Sequence, residues 1–315
     1  MTNIRPLFIA LLALLVAACV SGPVARDEVT ISIIGTNDVH GALVANDQVG
    51  GLVSVSAYVD ALRQARAADG GAVLLIDAGD MWQGTLESNL GEGAAVVEAY
   101  NAMGVTAAAI GNHEFDFGPE GRHAIPVEPG EDPRGNLKRR ASEAQFPLLT
   151  ANLIDSSTGA PVDWDNVQPS VIVEAAGIKV GIVGVMTANA LTTTIAANVG
   201  GLEIAPLADT ITTVARQLRD DGAVLVVVAA HAGGKCTDFS DHQDLSSCNM
   251  SAEVMRLANA LEPGLVDYII GGHNHNPIAH IANDSPIPSH YANTYSFGRV
   301  DVQVVLDPQS VGCRQ

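Results

Sequence analysis

The sequence predicts an α/β fold, in which buried strands alternate with amphipathic helices. Two observations carry this prediction. Six short apolar runs have the length and composition of buried strands, namely residues 29–35, 72–77, 105–110, 178–185, 223–230 and 266–270. Between them, two stretches repeat apolar residues at intervals of three and four, as on one face of a helix. The 315 residues, of which 47% are hydrophobic, are enough for one large domain with a substantial core.

The N-terminal residues, 1–18, have the pattern of a secretory signal peptide. Arg5 precedes an apolar run, and no acidic side chain occurs before Cys19. This run is too short to span a bilayer, and no later apolar run is long enough to do so. The segment VAAC at 16–19 resembles the lipobox of bacterial lipoproteins, which implies that Cys19 becomes lipidated. We therefore expect an exported protein of the periplasm or cell envelope, tethered to a membrane by lipid alone, with residues 19–28 as a linker.

The predicted helices lie on either side of a proline-rich segment. Residues 52–68 place Val55, Val59 and Leu62 on one helical face. A second helix follows Pro206, and its apolar face consists of Leu207, Ile211, Val214 and Leu218. Residues 118–147 contain several prolines and glycines and predict a long loop. A last strand is predicted at 299–307.

Charge excludes one broad class of function. Sixteen basic residues against 35 acidic ones give a formal net charge of −19, which opposes binding to nucleic-acid polymers. Aromatic residues make up only 4% of the chain, so base-stacking surfaces are not indicated either. Five basic residues cluster in the predicted loop. They could bind an anionic substrate or, more simply, belong to a solvated turn of helix. They are Arg122, Arg134, Lys138, Arg139 and Arg140.

The cysteines are interpreted through the expected export. Cys236 and Cys248 enclose eleven residues, and in an oxidising compartment a disulfide between them would close the loop after Ala230. Two free cysteines are the alternative. Cys313 has no obvious partner in the sequence.

Polar clusters follow five of the predicted strands, each just past the carboxyl end. They contain Asp38 and His40, then Asp80, then Asn112, His113 and Glu114, then His231, and last His273 and His275. In open α/β sheets ligands bind outside the carboxyl ends of the strands, so these loops can converge on one site. Imidazole, carboxylate and amide ligands without thiolate suit Zn, Mn, Fe, Co or Mg. The other four histidines are interpreted as surface residues, namely His123, His242, His280 and His290.

Five motifs that contain these clusters closely resemble those of the calcineurin-like metallophosphoesterases, in particular the secreted bacterial 5'-nucleotidases. The motifs are TNDVHG (36–41), DAGD (77–80), GNHEFDFG (111–118), AAHAGG (229–234) and GGHNH (271–275). The likeness covers residues 29 to 306. It implies a four-layer α-β-β-α sandwich with two mixed sheets, a catalytic domain at 29–307 and a tail at 308–315.

The resemblance also implies two divalent metal ions and their ligands. Asp38, His40 and His275 would hold one ion. Asn112, His231 and His273 would hold the other, and Asp80 would bridge the two. Asp77 would orient a ligand without binding metal, and Glu114 matches its motif without a metal role.

The implied reaction is hydrolysis of a phosphate monoester, most simply of a nucleotide. Two dications about 3.5–4 Å apart would activate a bridging hydroxide for in-line attack. His113, held by Asp116, would stabilise the transition state and protonate the leaving oxygen. No covalent phosphoenzyme is expected.

Several alternatives remain at this stage. Secreted 5'-nucleotidases carry a C-terminal substrate domain that is absent from this sequence, so we expect either a fragment of a longer gene or a stand-alone phosphoesterase. A 2',3'-cyclic nucleotide phosphodiesterase and a thiosulfohydrolase are alternatives within the superfamily. A lipid-anchored protein that binds metal or a partner without catalysis is the alternative of another class. Trp82, Phe115 and Phe117 are expected to pack around the motif loops and not to clamp a base.

Overall fold

Two β-sheets pack face to face in the computed structural model, which describes residues 28–306. The strands are β1 (Glu28–Thr36), β2 (Ala72–Asp77), β3 (Ala107–Ala109), β4 (Leu148–Leu149), β5 (Leu153–Asp155), β6 (Ala160–Pro161), β7 (Val167–Gln168), β8 (Ser170–Ala175), β9 (Ile178–Met186), β10 (Leu202–Ile204), β11 (Leu225–His231), β12 (Tyr268–Ile270), β13 (Ile278–Ala282), β14 (Ser285–Ser289) and β15 (Gly298–Val305). The α-helices are α1 (Gly51–Asp69), α2 (Leu86–Asn89), α3 (Ala94–Met103), α4 (Gly135–Glu143), α5 (Leu207–Asp220) and α6 (Glu253–Ala260).

Both large sheets are mixed. The first has the order β15-β1-β2-β3-β4-β7, in which β15 is antiparallel to β1 and the other pairs are parallel. The second has the order β12-β11-β9-β8, in which only β8 is antiparallel to its neighbour. A three-stranded sheet, β10-β5-β6, and a hairpin, β13-β14, complete the described strands. The parallel strands of each large sheet therefore present their carboxyl ends together.

Side chains alternate along each strand, so one face of a strand packs between the two sheets and the other packs against helices. Ile31 and Ile33 of β1 point into the layer between the sheets, where they join Val180 and Ile182 of β9. The next residue of β1, Ile34, faces the opposite way and packs with the apolar stripes of α1 and α3. Helices α5 and α6 cover the outer face of the second sheet in the same manner. The expected four-layer α-β-β-α sandwich is confirmed.

Helix α1 shows how the pattern in the sequence produces an element. Val55, Val59 and Leu62 are buried, as their spacing predicts. The helix ends because Gly70 adopts a left-handed conformation with φ of 76° and donates its N–H to the Arg66 carbonyl. The helix predicted after Pro206 is also present, as α5.

The predicted strands are all present; 72–77 keeps its bounds as β2, and the others have changed bounds. Only three residues remain of 105–110 and of 266–270, as β3 and β12. Val105 does not extend β3 because its N–H bonds to the Tyr100 carbonyl at 3.1 Å, which closes the turn after α3.

The loop prediction for 118–147 is wrong over residues 135–143, which form α4. Leu137 and Ala141 of α4 are buried against the core, so this stretch gains apolar burial by becoming helical. Arg140 is 2% exposed rather than solvated, and it donates to the Gly91 carbonyl at 3.2 Å and to Glu143 at 3.1 Å.

The signal peptide at 1–18, Cys19, the linker up to residue 27, the tail at 308–315 and Cys313 lie outside the described residues. Within 28–306, no helix combines the length and the apolar character that a bilayer crossing requires.

Candidate metal centre

All seven predicted metal ligands lie at the ends of parallel strands from the two sheets. In the first sheet, Asp38 and His40 follow β1, Asp80 follows β2 and Asn112 follows β3. In the second sheet, His231 ends β11, and both His273 and His275 follow β12. The candidate centre therefore lies across the edge where the two sheets meet.

One group of potential ligands consists of Asp38, His40 and His275, whose ligand atoms all lie within 4.8 Å of one another. His275 Nε2 is 3.0 Å from His40 Nε2 and 3.6 Å from Asp38 Oδ1. Asp38 and His40 are buried, whereas His275 is exposed. This group is therefore open to solvent on the side of His275.

The second group consists of Asp80, His231 and His273, again with ligand atoms within 4.8 Å of one another. His231 Nε2 is 3.1 Å from Asp80 Oδ2 and 3.0 Å from Asn112 Oδ1. His273 Nδ1 is 2.9 Å from the same Asn112 oxygen. Because His40 Nε2 is 4.0 Å from Asp80 Oδ2, the Asp80 carboxylate lies between the two groups.

The donor atoms of these groups fit cations. The Nδ1 atoms of His40 and His231 lie 2.7 and 2.9 Å from backbone carbonyl oxygens. Each neutral ring therefore carries its N–H at Nδ1 and turns the lone pair of Nε2 inward. Asn112 donates through Nδ2 to the Thr193 carbonyl at 3.0 Å, which turns its oxygen inward too. Lone pairs that converge at these distances repel one another unless a cation or a proton lies between them. The mixture of imidazole, carboxylate and amide oxygen suits divalent ions.

A proton and a cation compete for the position beside His231. Burial opposes a charge on this ring, but the charge of Asp80, its hydrogen bond to the ring, and the charges of Asp38 and Glu114 together outweigh burial and raise the pKa of His231 to about 10. Burial likewise favours the protonated form of Asp80, yet His231 holds the Asp80 pKa well below its usual range. Cation binding between these groups therefore has to displace a proton.

The backbone at five ligand positions is left-handed. Asp38, His40, Asp80, His273 and His275 have φ values of 49°, 49°, 60°, 79° and 56°. Non-glycine residues pay about 1–3 kcal/mol each for such conformations, which persist only where the surrounding structure determines them. The backbone is therefore locally strained at these five positions, and this conformation turns their side chains toward one point.

Glu114 supports the loops that carry the ligands. Its carboxyl group accepts backbone N–H groups from Asp80 at 2.9 Å, Met81 at 2.7 Å and Gly111 at 2.6 Å. Burial raises the pKa of Glu114 to about 8. This residue therefore ties together the ends of β2 and β3.

Asp77 is fully buried and accepts three hydrogen bonds, from Thr36 Oγ1 at 2.6 Å, Tyr100 Oη at 2.9 Å and the Gly79 N–H at 2.8 Å. Burial raises its pKa to about 7. Since these bonds connect β1, α3 and the turn that leads to Asp80, they hold that turn in position.

His113 and Asp116 form a pair at the rim of the centre. His113 Nδ1 is 2.5 Å from Asp116 Oδ2, and Thr194 Oγ1 donates to the other Asp116 oxygen at 2.7 Å. The hydrogen bond to Asp116 raises the pKa of His113. The His113 backbone N–H donates to Asp80 Oδ1 at 2.9 Å, so the pair is fixed directly to the metal-ligand cluster. The His113 ring is half-buried, so it can donate a proton to a ligand bound at the centre.

Two supporting residues were not identified from the sequence. Asn37 Nδ2 donates to Asp38 Oδ2 at 2.6 Å and to the His290 carbonyl at 3.1 Å, and its place within the first motif was the available indication. Thr194 lies 78 positions from Asp116, and no local pattern indicates it.

The remaining aromatic and histidine predictions have mixed outcomes. Trp82 and Phe115 are fully buried in the core, as expected. His280 and His290 are buried, at 2% and 9% exposure, so their interpretation as surface residues was wrong. They belong to or follow the hairpin β13-β14, which the sequence did not predict.

The loop after β11 is closed by a disulfide between Cys236 and Cys248, with the sulfur atoms 1.98 Å apart. This bond excludes those two sulfurs as thiolate ligands, although His280 lies close to both. The described residues therefore offer cations the two groups around Asp38 and Asp80.

Comparison with known proteins gives consistent matches. The chain is 30% identical to protein UshA of Yersinia enterocolitica, over 79% of this chain and 41% of that protein. It is 28% identical to a 5'-nucleotidase of Vibrio cholerae, over 83% of this chain and 44% of that protein. The chain thus spans less than half the length of these relatives.

A solved structure shares the fold over most of both chains. It is the calcineurin-like phosphoesterase YfkN from Bacillus subtilis, with a TM-score of 0.67, 19% identity, and coverage of 89% of this chain and 87% of that one. The family model for calcineurin-like phosphoesterases matches residues 31–277, which include all seven predicted metal ligands and the His113–Asp116 pair. The chain therefore belongs to the calcineurin-like phosphoesterase family.

Proposed function

We propose that this protein hydrolyses phosphate monoesters, most simply nucleotides in the manner of a 5'-nucleotidase, with two bound divalent cations. The observation that carries the proposal is the convergence of seven inward-facing donor groups beside a histidine held by a carboxylate. Membership of the family supports the reaction class. The likeness to a 5'-nucleotidase supports the choice of nucleotides.

The cation ligands follow from the two groups. Asp38, His40 and His275 would hold one cation. In the other group, His231 and His273 would bind together with Asn112, whose oxygen lies within 3.0 Å of both rings, and Asp80 would contact both cations. The cations would supply positive charge for the phosphate oxygens and activate water. These ligand types suit Zn, Mn, Co, Fe or Mg.

His113 is the proposed acid. Asp116 occupies Nδ1, so Nε2 is the nitrogen free to transfer a proton to the oxygen of the departing alcohol. Asp116 favours the protonated ring and also fixes its orientation, while Thr194 fixes Asp116. The chain needs no nucleophile of its own in this scheme.

The decisive experiment compares phosphate release from AMP, a 2',3'-cyclic nucleotide and an aryl phosphate, with added metal and with chelator. We expect metal-dependent release from AMP, and we expect His113→Ala to retain the metals while losing most turnover. Full activity in His113→Ala would exclude its role. Preference for the cyclic nucleotide would indicate a phosphodiesterase. Hydrolysis of no phosphoester would favour a metal- or partner-binding protein.

We further propose that the protein is exported and anchored by lipid at Cys19. The signal-like residues 1–18 and the lipobox-like VAAC segment support this proposal. The disulfide supports an oxidising compartment. A Cys19→Ala variant should move from the membrane fraction to the soluble fraction of the cell envelope, and unchanged fractionation would contradict the anchor.

A further inference from the structure

A polar cavity of about 450 Å³ opens directly beside the candidate metal centre. His273 forms part of its wall, and so do Asn274, Asn249 and Arg256. Because His273 also belongs to the second ligand group, the cavity and the ligand cluster share one side chain. The proposed function gives the cavity no role yet.

The cavity is built by segments that are bonded to one another. The Val254 N–H, in the first turn of α6, donates to the Gly233 carbonyl at 3.2 Å, which ties α6 to the loop after His231. Asn274 packs so closely on Gly233 that a Cβ there would lie 2.5 Å from its side chain. The cavity and the metal centre are therefore fixed relative to each other.

Hydrogen-bond donors on the wall remain without partners among residues 28–306. Asn249 Oδ1 accepts the Ser251 N–H at 3.1 Å, which fixes its amide and leaves its Nδ2 unused. Asn274 Oδ1 accepts the Asn276 N–H at 3.3 Å, so its Nδ2 is also unused. Each asparagine thus offers N–H groups for which residues 28–306 provide no acceptor.

Arg256 adds a positive charge to these donors. Its Nη1 donates to the Ser251 carbonyl, and no carboxylate in residues 28–306 forms an ion pair with it. The one carboxylate of the wall, on Glu253, is already bound to the Thr187 hydroxyl and to the Ala188 N–H at 2.9 Å. Arg256 is exposed, as are Asn249 and Asn274, so an anion in the cavity can reach its guanidinium and the unused amide donors.

We propose that this cavity binds a second anionic group of the substrate, with Arg256 as the specificity-determining residue. The preferred substrates are then phosphate monoesters whose leaving group itself carries a phosphate or carboxylate. Arg256 contributes through charge-assisted hydrogen bonds to that group and takes no part in breaking the ester bond. As a statement about kcat/KM, this proposal rests on the proposed function.

The test uses two pairs of substrates that differ by one anionic group. They are AMP with adenosine 3',5'-bisphosphate, and glycerol 3-phosphate with 3-phosphoglycerate. For wild type we expect kcat/KM to be roughly ten-fold or more higher for the doubly anionic member of at least one pair, mainly through KM. In Arg256→Met, which keeps the apolar stem and removes the charge, that ratio should fall to about one.

Arg216→Met is the matched control, because Arg216 is an exposed arginine already paired with Glu262 at 3.0 Å. This control should retain the wild-type ratio. A wild-type ratio near one in both pairs, or an unchanged ratio in Arg256→Met, would overturn the proposal.

Failure of the proposed function gives a different result. In that case wild type hydrolyses no phosphate monoester, aryl phosphate included. The subsite is then tested by calorimetric titration of the metal-loaded protein with AMP and adenosine 3',5'-bisphosphate. Tighter binding of the bisphosphate to wild type but not to Arg256→Met supports the subsite, and equal binding of both nucleotides to wild type refutes it.

Discussion

Replacing Glu114 tests whether one buried carboxyl group holds the ligand loops together. The side chain satisfies three buried backbone donors, of Asp80, Met81 and Gly111. A buried donor left unpaired costs about 1–3 kcal/mol. Glu114→Ala leaves all three unpaired, so we expect the free energy of unfolding to fall by roughly 3–9 kcal/mol, a large share of the about 5–15 kcal/mol typical of folded domains.

The amide variant separates hydrogen bonding from volume. Glu114→Gln keeps one oxygen for two of the donors and turns an NH₂ group toward the third. Because burial raises the Glu114 pKa to about 8, the neutral acid that the amide resembles predominates at pH 7. We therefore expect Glu114→Gln to lower the free energy of unfolding by about 1 kcal/mol, the lower limit for one unpaired donor.

Urea denaturation with chelator present, followed by the fluorescence of Trp82 and Trp164, measures these losses without a contribution from bound metal. Glu174→Gln, at an exposed position, is the control and should change stability by about 0.5 kcal/mol or less. A loss below about 1 kcal/mol in Glu114→Ala would refute the reasoning from three unpaired donors.

Three further changes have expected outcomes. The pKa of Asp77 rises from 3.8 unfolded to about 7 folded, so the folded chain holds a proton that the unfolded chain has released. Asp77 should therefore contribute a fall of up to about 4 kcal/mol to the unfolding free energy of the chelated protein as pH rises from about 4 to 7, and Asp77→Asn should remove that part of the slope in urea titrations. Reducing the disulfide should lower the unfolding free energy by about 2–3 kcal/mol, and an unchanged denaturation midpoint would contradict this. Gly79→Ala places a Cβ 2.9 Å from His231 Nδ1 and should weaken metal binding in calorimetry, whereas Gly177→Ala, with similar positive φ but open space, should not.

The sequence was sufficient for the α/β class and for the place of the polar clusters because both follow local rules, whereas the four layers and the assignment of ligands were implied by the family resemblance. Apolar runs identified the main strands, and parallel strands bring their carboxyl ends together without further information. The positions of Asp38, Asp80 and His231 follow from that rule. The left-handed backbone of Asp38 and Asp80 does not, since it depends on contacts between loops distant in the sequence.

The failures also have physical causes. Helix α4 follows a proline-rich stretch, and its stability comes from burying Leu137 and Ala141 on a core that no local pattern reveals. The hairpin β13-β14 contains Pro286 and Pro288, which disfavour strands in general. Its turn residues Asn283 and Asp284, both with positive φ, were the available indication of a hairpin.

The contact between Asp38 and His273 has a consequence for how the protein matures. Both oxygens of the Asp38 carboxylate accept the His273 N–H, at 3.0 and 2.9 Å, across 235 positions of sequence. The centre can therefore form only after the first and last motif loops have met, which is a late event for a chain that folds from local contacts. Ions that bind only the assembled centre stabilise the folded state by mass action, so the metal supply during folding should set the yield of mature protein as well as its activity.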